Sequence, residues 1–186
     1  MVALTSLGLP ILLSAVAVFI VSSIVHLFLP HHKSDFEGIP DEAAVAAELR
    51  KYNIRPGDYF MPFVHGMKEM QSVEYQQKLM EGPRIVMTVR PSGSDSMGKA
   101  LAVWFVYCLV IGVFAAYVAG RALPPGADYL EVFRFVGVTA FAAYSLSLPQ
   151  QSIWWSKKWS STFKSMLDGL LYALVTAGVF GWLWPA

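Results

Sequence analysis

Four long runs of apolar residues alternate with short polar breaks along this chain, and only one polar stretch is long. The runs cover residues 7–29, 100–123, 129–148 and 165–184. Each is close to the roughly 20 helical residues that cross a hydrocarbon layer about 30 Å thick. Their edges carry helix-stopping residues: Pro30, the pair Pro124 and Pro125 with Gly126, Pro149 and Pro185. Proline cannot extend a helical ladder, and it biases the residue before it away from helix. Pro10 falls in the first turns of its run, where a missing donor costs little. A backbone in hydrocarbon has no water to bond, so each run must bond within itself as a helix.

The pattern predicts an all-α membrane protein, a four-transmembrane-helix bundle with a small, mostly helical cytoplasmic segment between helices 1 and 2. The divisions are 1–29 for helix 1, 30–98 for the polar segment, 99–123 for helix 2 and 128–148 for helix 3. An interfacial segment over 150–163 and helix 4 over 164–186 complete the chain. The first run reads as an uncleaved span. Residues 1–6 hold no Lys or Arg, the run exceeds the roughly 7–15 residues of a signal-peptide core, and no small-x-small cleavage pattern follows.

Within the polar segment, Pro40, Asp41 and Glu42 open a helix predicted over residues 41–51, with proline and acids in its first turn. Residues 55–58 (RPGD) signal a turn. A second helix is predicted over 67–81, closed by Gly82 and Pro83. Residues 84–90 (RIVMTVR) are β-branched enough for a strand, and 91–98 form a Ser/Gly linker. A segment this short builds a weak core by itself and is expected to lean on lipid, on another loop or on a partner.

Charge orients the spans. Twelve of the 14 Lys and Arg lie in the long segment, at Lys99 or in the loop before the last span, against Arg121 and Arg134 on the other side. The positive-inside bias then puts both termini outside and residues 30–98 in the cytoplasm, as in a bacterial inner membrane. Trp154, Trp155 and Trp159, interleaved with Lys157 and Lys158, read as an interfacial belt, and Trp182 and Trp184 mark the opposite interface.

Two rows of small residues run at four-residue spacing: Cys108, Gly112, Ala116 and Gly120 in span two, and Gly169, Ala173, Ala177 and Gly181 in span four. Such rows share one helix face and allow close packing where lipid offers no hydrophobic drive. They are expected to meet each other or a partner chain. Composition agrees with a membrane protein: 55% of residues are hydrophobic and the mean hydropathy is +0.49, above the roughly 45–50% apolar content of soluble domains. A net charge of +1 gives no basic face for nucleic acid. The single cysteine excludes an internal disulfide or a CxxC site.

Candidate chemistry is sparse. His26, His31 and His32, with Asp35 nearby, have ligand types suited to zinc, iron or copper, but Pro30 breaks the helical spacing between them. Interfacial polar residues are the plainer reading. His65 with Met67 and Met70 has the soft donors of a Cu(I) site, although methionine is also a common filler of small cores. Glu131 and Arg134 lie near one end of span three, and Lys164 and Asp168 near one end of span four. Asp168, with Tyr172 and Thr176 on the same side, is the leading functional residue, since charge inside a membrane is costly and usually kept for a purpose. The helix dipole is expected to favour it in a first turn. Only His26 lies inside a span, so a single-chain bis-histidine haem is excluded.

No P-loop, GxGxxG or HExxH pattern occurs, and there is no histidine box. The expected function is therefore non-catalytic: an accessory or scaffold subunit of a larger inner-membrane assembly, with lipid and other membrane chains or a second copy as partners. The alternatives are a small oligomeric transporter or channel component and a metal-handling membrane protein. No cofactor is expected beyond a metal ion at one of the two clusters.

Overall fold

The computed structural model describes residues 1–186. In chain order its elements are α1 (Gly8–Phe28), α2 (Glu42–Lys51), β1 (Gly57–Met61), α3 (Met67–Met70), α4 (Val73–Glu81), β2 (Ile85–Val89), α5 (Met97–Ala122), α6 (Tyr129–Ser145), α7 (Pro149–Trp155) and α8 (Trp159–Trp182). A 3-10 turn, Leu4–Leu7, leads into α1, and another, Pro30–His32, follows it. Four stretches are long and apolar enough to cross a membrane: Leu4–Phe28, Met97–Ala122, Tyr129–Trp155 and Trp159–Trp182. The chain divides into two compact units, residues 1–36 with 96–186, and residues 37–95.

The first unit is the membrane bundle. α1 packs on α5, α5 on α6, α6 on α8 and α8 on α1, which closes a square with α5 and α8 on one diagonal. Its interior holds small and branched side chains, among them Ala115, Ala116, Ala119, Val132, Val136 and Ala177, with Phe180 of the last turn of α8 buried among them. Leu9, Leu12, Ile20, Val103, Phe114 and Leu174 face outward. This distribution suits lipid, where a leucine gains little by turning inward and close packing favours small residues.

The two small-residue rows pack helices, but against other neighbours than expected. On α5, a Cβ at Gly112 would lie 3.3 Å from Ile11 Cγ2, and one at Gly120 would lie 2.9 Å from the carbonyl oxygen of Val2. The N-terminal strand of chain is tied there by a bond from the Val2 N–H to the Gly120 carbonyl at 2.7 Å. On α8, a Cβ at Gly169 would collide with Ser145 Oγ of α6, and one at Gly181 would come within 2.7 Å of the Tyr129 ring. Each row is thus consumed inside the chain, α5 against the α1 region and α8 against α6.

Span ends also differ from expectation. Helix α6 stops at Ser145, and Pro149 opens α7 instead of closing a helix, since a first-turn position needs no donor. α8 begins at Trp159 rather than near residue 164, so Trp159 lies in its first turn. A buried pair of hydroxyls, Ser152 and Thr162 at 2.7 Å, locks α7 to α8. Helix α5 starts at Met97, where Ser96 Oγ accepts the Lys99 N–H, so the linker is shorter than predicted.

The second unit, residues 37–95, contains no buried residue. Asp41 caps α2 by accepting the Ala44 N–H. The helix predicted over 67–81 is divided, because Ser72 accepts the Tyr75 N–H and starts a new helix after a turn. The predicted strand is present as β2, antiparallel to β1, which starts inside the predicted turn 55–58 and has Tyr59 opposite Met87.

Gly169→Leu should therefore destabilise the bundle by about 1–3 kcal/mol through overpacking. Gly137→Ala should be nearly neutral, because its Cβ would make an ordinary 3.4 Å contact with Ala177. Thermal unfolding of the purified variants in detergent checks the contrast, and equal stability of the two would refute this packing.

Candidate metal centre

The site forms where α1 ends beside the early turns of α8. Leu29 leaves the helical region, as a residue before proline tends to do, with φ −89° and ψ 129°. The 3-10 turn that follows, tied by the Lys33 N–H to the Pro30 carbonyl, brings His32 back over the last turn of α1. The rings of His26 and His32 stack at 5.0 Å with an interplanar angle of 15°, and those of His31 and His32 lie 4.1 Å apart. Lys164 and Asp168, four residues apart, present one face of α8 to this turn.

Asp168 is the hub. His32 Nε2 donates to Asp168 Oδ2 at 2.6 Å and His31 Nε2 to Oδ1 at 3.1 Å. His32 Nδ1 donates to Asp35 Oδ2 at 2.7 Å. Lys164 Nζ donates to Asp35 Oδ1 at 3.1 Å and to Ser34 Oγ at 2.8 Å. An imidazole that donates from both nitrogens to carboxylates is an imidazolium. Two carboxylates then face two cations, His32 and Lys164, and the cluster is neutral. The hydrogen bond from His32 holds the Asp35 carboxyl down at about 2, with Lys164 adding to the effect against the opposing pull of burial. For His32, burial works against the charged form, but the bonds to Asp35 and Asp168 outweigh it and the net shift is upward.

Three of these side chains could together hold a metal ion. His26, His32 and Asp168 bring one ligand atom each to within 4.8 Å of one another. The outer nitrogens already have partners: His26 Nδ1 donates to the Ser22 carbonyl at 2.9 Å, and His32 Nδ1 to Asp35. Such an outer bond fixes the tautomer of His26 and leaves its Nε2 without a proton, whereas His32 Nε2 would first have to release the proton it gives to Asp168. No family model, curated protein or solved structure matches this chain. What the site does is therefore argued from its own geometry.

The sequence groups His26, His31 and His32 with Asp35 but gives no link from them to Lys164 and Asp168. The helix does break at Pro30, yet the break is what returns His32 to His26. Asp168 is nine residues into α8, beyond the reach of the helix dipole, so histidines rather than the dipole hold its charge. Tyr172 and Thr176 follow Asp168 on the buried face, and the Thr176 hydroxyl donates to its own helix at the Tyr172 carbonyl. Tyr172 packs against Trp104 and Tyr144.

The remaining candidates lie elsewhere. His65 packs edge-on against Phe63, and Met67 and Met70 are exposed on α3. Glu131 and Arg134 are exposed on α6. Trp154, Trp155, Trp159 and Trp182 present large exposed surfaces, as interface anchors would, while Trp184 Nε1 donates to the Pro124 carbonyl. Ser22 and Trp104 were missed. Trp104 Nε1 donates to Ser22 Oγ at 2.9 Å, which buttresses the helix turn that bonds His26. An indole inside a span needs an acceptor, and that was the available signal.

Replacing Asp168 by Ala leaves His31 and His32 without their shared acceptor. The expected cost is about 3 kcal/mol, at the low end for breaking a buried pair, because the two histidine side chains are 27% and 21% exposed. Asp168→Asn should cost less, since one acceptor oxygen remains. Unfolding of both variants in detergent tests the order, and an Ala variant as stable as wild type would exclude the hub role.

Proposed function

We propose that this is a metal-handling membrane protein that holds a divalent first-row cation, of the zinc class, at one end of its four-helix bundle. The observation that carries the reading is the convergence of His26, His32 and Asp168 with the outer partners of both imidazoles already in place. Two imidazoles and a carboxylate suit Zn²⁺, and the same set suits Fe²⁺. Zinc–ligand bonds of about 2.0–2.1 Å require ligand atoms roughly 3.4 Å apart in a tetrahedron. The ion would displace the proton that His32 Nε2 now donates to Asp168, open that pair and draw His26 in. His31, bonded to the other oxygen of Asp168, is placed to become a fourth ligand or to stay as its orienting donor. Three protein ligands leave one position for water or a small ligand.

The orientation inferred from charge puts the centre on the cytoplasmic side of an inner membrane. A scaffold role is less favoured, because the small-residue rows that argued for partners are filled from within the chain. A conducting role is also less favoured. Beyond Thr176 the interior is closed by Ala177, Phe180, Val132 and Val136, all fully buried.

Protein purified after growth with added zinc, iron and manganese should carry about one ion per chain by elemental analysis. His26→Ala, His32→Ala and Asp168→Asn should each remove it, and Asp35→Asn should weaken binding roughly 10–100-fold as an outer partner. His65→Ala and Met70→Ala should bind like wild type. A folded wild-type protein that takes up none of these ions would overturn the proposal.

A further inference from the structure

A groove with a volume of about 520 Å³ runs between α1 and α8 on the outer face of the bundle and ends at the histidine cluster. Val25 and Leu29 form one wall, and Leu167, Leu171 and Leu174 lie along one stripe of the other. Its polar end is made by His31, Lys164 and Asp168. A water occupies about 30 Å³ and a methylene is of similar size, so the volume matches one acyl chain. Lys164 has three ammonium protons and uses two, on Ser34 and Asp35. In the bundle unit, this end carries Lys33, Lys99, Lys157, Lys158 and Lys164 against Asp35 and Asp168, an excess of positive charge.

We propose that this groove seats one acyl chain of an anionic phospholipid, with the phosphate held at Lys164. The wall faces the hydrocarbon layer, where lipid chains are the available solute, and the cation stands at the depth at which a span meets headgroups. The site adjoins the proposed metal centre and shares Asp168 with it, but the apolar walls and Lys164, which carry the lipid proposal, are not among its ligands. A bound lipid would place its phosphate beside the ion's open position.

The test uses the full chain in phosphatidylcholine nanodiscs with phosphatidylglycerol carrying a diazirine in one acyl chain. After illumination, adducts mapped by mass spectrometry should concentrate on residues 25–29 of α1 and 167–174 of α8. Lys164→Gln should lower that labelling roughly fivefold, the value of one lysine at a membrane surface. The same probe with a phosphatidylcholine head should label at the lower level. Leu171→Trp, which fills the groove from a lipid-facing position, should reduce labelling while size-exclusion behaviour stays unchanged. Adducts spread evenly over the exposed stripes of all four spans would overturn the site, as would equal labelling by the two headgroups. Ion content is measured on the same samples, so a protein that labels in the groove but holds no metal sinks the metal reading alone.

Discussion

A polar group in hydrocarbon has no water to turn to, and the main features of this bundle respond to that. Peptide groups respond by forming helices. Hydroxyls in the spans respond locally: Ser14 donates to the Ile11 carbonyl, Ser23 to Phe19, Thr139 to Phe135 and Thr176 to Tyr172, each within its own helix. A carboxylate cannot do the same. It only accepts, and the N–H groups around Asp168 are already spent on the α8 ladder. Its donors must come from another element, and the turn after α1 supplies two imidazoles. The contact between α1 and α8 is thus specified at this end by charge, whereas the other helix contacts combine close packing with single neutral hydrogen bonds.

That division explains what could be read from the chain in advance. Hydrocarbon thickness and peptide bonding act on every residue of a span, so the four spans follow from hydropathy alone and survive errors of a few residues at each end. The errors are local contests. Pro149 breaks one helix and begins another with equal ease, and the first-turn role prevailed because α7 folds back onto α8 through Ser152 and Thr162. Ser72 was an ordinary polar residue inside a predicted helix until its side chain capped the next turn. Strand β1 was hidden because its stability depends on β2, some thirty residues away, and a window of sequence does not contain that partner.

The site was legible residue by residue but not as a whole. His26, His31, His32 and Asp168 each stood out as costly near lipid. Helical periodicity, the rule for placing side chains on a common face, fails at Pro30, and no rule of spacing links residue 32 to residue 168. The small-residue rows show the converse problem. Their spacing revealed that something packs closely, but a glycine face does not encode its partner. Only the positions of Val2, Ile11, Tyr129 and Ser145 show that the chain fills both faces itself.

The position of the cluster along the bundle bears on what it is for. A polar centre at mid-membrane, flanked by polar residues on both sides, would argue for passage. Here the polar side chains thin out within two turns of Asp168, and the next layer is Ala177 with Phe180 against Val132 and Val136. In the proposed reading, an ion arriving at His26 and His32 would meet this plug and leave by the way it came. The cluster is also neutral as it stands, with two cations against two carboxylates. In the proposed reading, a divalent ion that replaced the His32 proton would add one positive charge, which an anion such as hydroxide in the ion's open position would offset. Exchange from one face fits the proposed role of holding an ion better than that of conducting one.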